Sequence, residues 1–127
     1  MPSAVVVERT RRICAVAGSE VDGGAAVLLR EDGVLRAVVG EGLPGAEAWL
    51  VECARAWAAD AGEVWDRVRR PDGAWALLGV PLIGAGGSRL GFLVLASRRE
   101  LGPEGAPVRR ARDLAPIAAA ALEAPLA

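Results

Sequence analysis

Five residue types are missing from this chain of 127 residues, which contains no Lys, Asn, Gln, His or Tyr. Without His there is no imidazole base beside a Ser or Cys nucleophile, and no zinc or haem ligand of the usual kind. Without Lys no Schiff base can form. Acidic residues remain, but none falls on a predicted apolar face, so a paired-carboxylate hydrolase is not indicated. We therefore predict no catalytic residue, no cofactor and no enzymatic activity.

Cysteine is scarce as well, since the chain has only Cys14 and Cys53. Two cysteines without CxxC spacing cannot form a zinc site by themselves, and both lie in apolar stretches typical of helices. We predict no metal site and two free thiols in a reduced, cytoplasmic domain. Because the chain begins without an export signal and has no long apolar run, we predict no membrane partner.

Charge of one sign is not in excess, because 15 arginines face 16 acidic residues. The arginines cluster only within residues 9–12, 67–70 and 109–112, each time among acids or along one helix face. A nucleic-acid-binding protein concentrates its basic residues in a patch or stripe. The pattern indicates that these arginines lie at the solvated surface of the domain. It predicts no nucleic-acid partner. At this length we expect a single domain over residues 1–127.

Glycine, in contrast, is abundant, and its densest cluster is Gly-Ala-Gly-Gly-Ser at residues 84–88. A phosphate-binding glycine loop needs a helix directly after it, whose free N–H groups point at the anion. Here an apolar, strand-like run follows instead, and there is no Lys to reach a phosphate. The cluster therefore predicts the turn of a β-hairpin and no nucleotide site.

Apolar periodicity predicts three helices and about five strands. The helices cover residues 3–17, residues 46–60 and a last segment entered at Pro103 and Pro107, with a kink or restart expected at Pro116. The predicted strands are 25–30, 34–39, 63–68, 75–83 and 89–97. Strands 75–83 and 89–97 are apolar at odd and even positions, so both sheet faces must be covered. The fold class is α+β, an antiparallel sheet of five or six strands with helices on both faces.

The second half of the chain resembles a GAF domain, the small sensory module of signalling proteins. The resemblance rests on Val-Pro-Leu at 80–82, the glycine turn at 84–88, the strand Leu-Gly-Phe-Leu-Val-Leu at 90–95 and Ala-Leu at 121–122. Gly62 followed by a short strand and Asp66 is similar to a further segment of the family. The first strands and the second helix match by order alone. A GAF/PAS-like architecture is therefore expected.

The resemblance implies a ligand pocket between the sheet and the segments 46–60 and around Trp65. Its candidate lining residues are Cys53, Trp57, Trp65, Asp66, Arg67 and Trp75. One interpretation has them surround a small apolar molecule. The other has the tryptophans fill the core in place of Tyr and Phe. The ligand signatures of family members that bind cyclic nucleotides, bilins or haem need Asn, Lys or His and are absent. Members that reduce methionine sulfoxide use cysteines in loops and strands, whereas both cysteines here lie in predicted helices.

The resemblance also implies a homodimer, since the first and last helices of the family lie side by side on the face away from the pocket. The candidate interface residues are Val6, Ile13, Leu114, Ala118, Ala121 and Leu122. We expect a small-molecule-sensing or regulatory domain that pairs with itself and acts on an output protein. The alternative is a ligand-free interaction module, such as a degenerate GAF or roadblock-like domain.

Overall fold

The computed structural model describes residues 3–43, 47–58 and 62–123. Its order is one helix, two strands, a second helix, three strands and a last helix. The elements are α1 (Ala4–Ala17), β1 (Gly23–Glu31), β2 (Val34–Glu41), α2 (Glu47–Ala54), β3 (Val64–Arg70), β4 (Gly73–Ile83), β5 (Arg89–Ser97) and α3 (Ala106–Glu123). The strands form one five-stranded sheet in the order β2-β1-β5-β4-β3, and every neighbouring pair is antiparallel. The predicted α+β class is confirmed.

Three tight turns produce the hairpins of this sheet. Asp32 and Gly33, between β1 and β2, have φ values of 52° and 79°, the pair of left-handed residues that matches the twist of a two-residue hairpin. Pro71 and Asp72 connect β3 to β4. Between β4 and β5, the Gly84 amide donates to the Ser88 carbonyl at 2.8 Å and closes the glycine loop. The predicted hairpin turn is confirmed.

The two faces of the sheet carry separate apolar clusters, because successive side chains of a strand point to opposite sides. On the helix-pair face, Leu78 and Val80 of β4 pack with residues of α1 and α3. On the α2 face, Leu77 of β4 and Phe92 of β5 pack with Leu50 of α2. The prediction of helices on both faces is confirmed, and α2 carries the chain from one edge of the sheet towards the other.

The helix α1 is fixed by its caps and by one buried stripe. Ser3 accepts a hydrogen bond from the Val6 amide at 3.3 Å as the N-cap, and Gly18 ends the helix. The buried residues of α1 are Val6, Thr10, Cys14 and Ala17. The Thr10 hydroxyl donates to the Val6 carbonyl at 2.7 Å, so the polar group within this stripe is satisfied.

Two helices differ from the sequence prediction. α2 ends at Ala54, and the chain then tightens, with the Trp57 amide donating to the Ala54 carbonyl at 2.9 Å. This turn directs Trp57 onto the sheet. Of the residues predicted to be helical, positions 46, 59 and 60 lie outside the described residues. α3 continues through Pro116, so the predicted restart there is wrong. Pro116 lies on the exposed side of α3, while the neighbouring Ala115 and Ala118 are packed in the core.

None of the helices within residues 3–43, 47–58 and 62–123 is long and apolar enough to cross a membrane.

Candidate functional site

Trp57 fills part of the core on the α2 face of the sheet. Its side chain is buried, and its ring meets Phe92 edge-on at 5.2 Å between centroids. The indole N–H donates to the Asp66 carboxylate at 3.2 Å, and the other Asp66 oxygen accepts from the Arg67 amide at 2.8 Å. On β4, Gly79 lacks a side chain where the Trp57 ring lies. Trp57 and Asp66 are thus already satisfied by each other and by their neighbours.

Trp65 and Arg67 lie on the other face of the sheet from Trp57. In the β3–β4 ladder Trp65 pairs with Leu78, and directly paired residues share a face. Leu78 belongs to the helix-pair face, so Trp65 and Arg67 do as well. There Trp65 is 43% exposed, and Arg67 forms an ion pair with Glu100. The six candidate ligand-binding residues therefore do not surround one cavity.

Both cysteines are free thiols, as predicted, and they lie on opposite faces of the sheet. The pKa of Cys14 is raised to about 12, chiefly by burial and secondly by the nearby Glu41 carboxylate. Burial also raises the pKa of the partly buried Cys53, with a second contribution from Asp66. Both thiols are protonated at neutral pH and are poor nucleophiles. In the described part of the chain, no group of three or more Cys, Asp and Glu could hold a metal ion.

A cleft of about 560 Å³ opens at the end of the sheet where α2 begins. We call it the arginine–tryptophan cleft. It is lined by Asp22, Gly23, Gly42, Leu43, Trp49, Arg70, Pro71, Asp72, Trp75 and Arg98. These residues come from the start of β1, the end of β2, the first turn of α2, the β3–β4 turn and the end of β5. Of the predicted candidates, only Trp75 lies here.

Two stacked pairs of aromatic and cationic side chains form the walls of the cleft. Trp49 and Trp75 lie 5.6 Å apart between ring centroids, with their planes inclined at 53°. The Arg70 guanidinium lies 5.0 Å from the Trp49 ring centre, and the Arg98 guanidinium lies 4.6 Å from that of Trp75. Both distances are within the range of a cation–π contact. The cleft thus combines flat apolar surface with two guanidinium groups.

Asp72 fixes one half of this arrangement. One carboxylate oxygen accepts from the Trp75 indole at 3.2 Å, and the other accepts from Arg98 at 2.9 Å. Arg98 also donates to the Asp72 carbonyl at 3.1 Å. The hydrogen bond from Trp75, together with the charge of Arg98, lowers the pKa of Asp72. Asp72 therefore orients both Trp75 and Arg98, and its carboxylate neutralises the charge of Arg98.

Arg70 differs from Arg98, because none of the carboxylates whose side chains the structure describes forms an ion pair with it. The second acidic residue of the cleft, Asp22, lies 3.6 Å from Arg99. Within the described ranges, Arg70 forms no ion pair at 4.0 Å or less, and its contact is the face of Trp49. Among the described side chains, the cleft consequently carries one guanidinium without an ion-pair partner. Trp49, Arg70 and Arg98 are the residues that the sequence-based site missed.

Two of the six predicted dimer residues lie inside the single chain. Val6 and Ala118 are buried, and Ala118 belongs to the apolar cluster between the sheet and the helix pair. The other four, Ile13, Leu114, Ala121 and Leu122, are partly buried. A different set of apolar residues is exposed on these helices: Val5 (61%), Val16 (50%) and Ile117 (56%). Val6 and Ala118 therefore cannot contact a second chain without unpacking the domain.

Comparisons with known proteins concern the fold. No protein-family model and no curated protein matches the chain. The GAF domain of a protein inferred to be a sensor histidine kinase, from Pseudomonas syringae pv. tomato, matches with a TM-score of 0.63 and 25% identity, over 95% of this chain and 77% of that one. A domain of a protein inferred to be a two-component sensor histidine kinase, from Sinorhizobium meliloti 1021, matches with a TM-score of 0.56 and 19% identity, over 91% of this chain and 86% of that one. The chain thus has a fold similar to that of a GAF domain.

Proposed function

We propose that this GAF-like domain is a sensory or regulatory signalling module that binds a small molecule in the arginine–tryptophan cleft and performs no catalysis. The likeness to a domain of an inferred sensor kinase supports the signalling role. The cleft supports the binding role, because about 560 Å³ is within the range of sites that hold small molecules. The proposal moves the ligand away from Trp57, whose ring packs against Phe92 and Gly79 and whose indole N–H is bonded to Asp66.

The observation that carries this proposal is the pair Trp49 and Trp75 at the cleft wall. A tryptophan that serves packing alone is expected to be enclosed by apolar neighbours, as Trp57 is by Phe92 and the sheet. Trp49 is only partly buried and lies beside a cleft that also holds Arg70. Ring surface next to a polar group is what orients a small ligand.

Native mass spectrometry of the purified protein tests the binding role. We expect a fraction of the wild-type protein to carry a small molecule, and we expect Trp49→Ala to lose it because the substitution removes one wall of the cleft. Trp65→Ala is the matched control, since Trp65 is also partly exposed but lies outside the cleft. Loss of the molecule in both variants, or in neither, would contradict the site. Unliganded wild-type protein from several growth conditions would favour the ligand-free interaction module.

We further propose that the domain dimerises through the outer surface of α1 and α3. Three of the six large apolar side chains exposed within the described residues lie on these two helices, namely Val5, Val16 and Ile117. Exposed apolar residues grouped on one surface are typical of a partner surface. This surface replaces the predicted set that included Val6 and Ala118, and the partner is a second copy of the chain.

Adjacent substitutions on α3 separate dimerisation from folding. We expect Ile117→Glu to give a folded monomer by light scattering, because the residue is 56% exposed. Ala118→Glu places a carboxylate in the core and should unfold the domain by circular dichroism, whatever the oligomeric state. A wild-type protein that is already monomeric at micromolar concentration would refute the dimer.

A further inference from the structure

We infer that the arginine–tryptophan cleft is selective for small planar carboxylates, with Arg70 as the residue that binds the carboxylate group. This inference rests on the proposed function, since it specifies the ligand class of the same cleft. It is argued from the charges of the cleft, from the orientation of Arg70 and from the aromatic wall.

The charge of the cleft leaves room for one negative group. Asp72 is paired with Arg98 and Asp22 with Arg99, so these four charges cancel in two pairs. Arg70 has no such partner in the described part of the chain. A guanidinium is always charged at physiological pH and is costly to bury without an anion. A ligand with one negative charge would therefore balance the positive charge of Arg70, whereas a neutral ligand would bury Arg70 without a counter-charge.

The position of Arg70 suits a carboxylate in particular. Its guanidinium lies 5.0 Å from the Trp49 ring centre, and a guanidinium over an aromatic face can still donate its N–H groups to a second partner. The fork of two parallel N–H groups matches the two oxygens of a carboxylate. A phosphate dianion would bring about two negative charges to a cleft that has one unpaired cation, next to the carboxylates of Asp22 and Asp72. The charge count therefore favours the carboxylate.

The remainder of the ligand should be flat and apolar. Trp49 and Trp75 form an inclined pair at the cleft wall, and Trp49 is the more exposed of the two. Aromatic side chains favour offset or inclined contacts with other rings. A ring or a conjugated chain can contact this wall while its acid group reaches Arg70. The ligand class is thus an aromatic or conjugated carboxylic acid.

The test follows the indole N–H signals of the four tryptophans in a ¹H–¹⁵N spectrum, assigned with Trp→Phe variants. The probes are benzoate and indole-3-acetate, with benzamide and indole-3-acetamide as uncharged counterparts and phenyl phosphate as the phosphate arm. We expect the acids to shift the signals of Trp49 and Trp75 saturably and to leave Trp57 unchanged. The amides should bind at least about tenfold more weakly, which is the effect of losing one charge-assisted pair.

Two arginine variants locate the carboxylate. Arg70→Gln should raise the Kd for the acids about tenfold or more and should leave the Kd for the amides nearly unchanged. Arg69→Gln is the matched control, because Arg69 is the preceding residue of β3 and points to the opposite face. The Kd of the Arg69→Gln variant for the acids should equal that of the wild type. Arg70→Lys keeps the charge without the fork and should give an intermediate Kd.

The outcomes separate this inference from the proposed function. Acids and amides that bind equally well at Trp49 and Trp75 would overturn the carboxylate preference and leave small-molecule binding in the cleft intact. Phenyl phosphate that binds more tightly than both acids would overturn it in favour of a phosphate group. Acids that cause no shift at millimolar concentration would also overturn it, and the molecule carried by the purified protein would then decide the proposed function by itself.

Discussion

Alkaline pH should destabilise this domain mainly through one buried thiol, that of Cys14. The side chain is fully buried between α1 and the sheet, and its pKa is raised from 9.0 to about 12, chiefly by burial. Between these two values the unfolded chain has lost the thiol proton and the folded chain still holds it. The folded state therefore binds more protons, and its stability falls as the pH rises through this window.

The size of the effect follows from the shift. A difference of one proton bound costs about 1.4 kcal/mol for each pH unit above the unfolded pKa. By about pH 11 the loss amounts to about 3 kcal/mol, a large part of the 5–15 kcal/mol that is typical of a whole domain. The composition makes this loss visible, because the chain has no Lys and no Tyr that would titrate in the same range.

Urea unfolding followed by tryptophan fluorescence, from about pH 8 to about pH 11 under reductant, measures the slope. Cys53 also has a raised pKa, so the comparison is made in a Cys53→Ala background. We expect that protein to lose about 1.4 kcal/mol per pH unit above pH 9, and we expect Cys14→Ala in the same background to lose almost nothing. Equal slopes in the two proteins would refute the assignment to Cys14.

Two further predictions concern packing and an ion pair. Gly79→Ala should destabilise the domain by about 1–3 kcal/mol in urea unfolding, because the new Cβ would lie 2.5 Å from the Trp57 ring. Gly86→Ala, which meets nothing within 4 Å, is the control, and equal loss in both variants would contradict the packing argument. Arg112→Gln removes a partner 2.6 Å from Glu63 whose hydrogen bond lowers the pKa of that carboxyl. It should destabilise the domain only slightly above pH 4.5, and this loss should vanish as the pH falls through the lowered pKa of Glu63. A cost that is independent of pH would argue against the ion pair.

Local sequence chemistry was sufficient for most of the fold. Asp32-Gly33 specifies its turn without help from the rest of the chain, because both residues tolerate the left-handed conformation. Apolar residues at odd and even positions of β4 and β5 correctly predicted a sheet covered on both faces. The end of α2 was not predictable in the same way, because it depends on where Trp57 finds space beside Gly79, a long-range contact.

The candidate site was predicted less well than the fold. Trp65 and Asp66 are consecutive in β3 and must point to opposite faces, so strand periodicity alone could have separated Trp65 from Trp57, the partner of Asp66. The arginine–tryptophan cleft has no such local signal. Trp49 and Arg70 meet only because the sheet topology brings α2 to the β3–β4 turn.

The glycine loop between β4 and β5 does bind an anion, which is supplied by the chain itself. The Ala85 amide donates to the Glu123 carboxylate of α3 at 2.8 Å, and a Cβ on Gly84 would lie only 2.4 Å from a Glu123 oxygen. Near the other end of the same helix, Arg112 is bound to Glu63 of the segment entering β3. The helix is therefore attached to the sheet at two points along its axis. Each residue of a helix is rotated by about 100° from the last, so turning α3 by one position would swing Glu123 away from the loop. The rotation of α3 about its own axis is thereby coupled to the β4–β5 hairpin. A displacement of that hairpin would therefore rotate the helix.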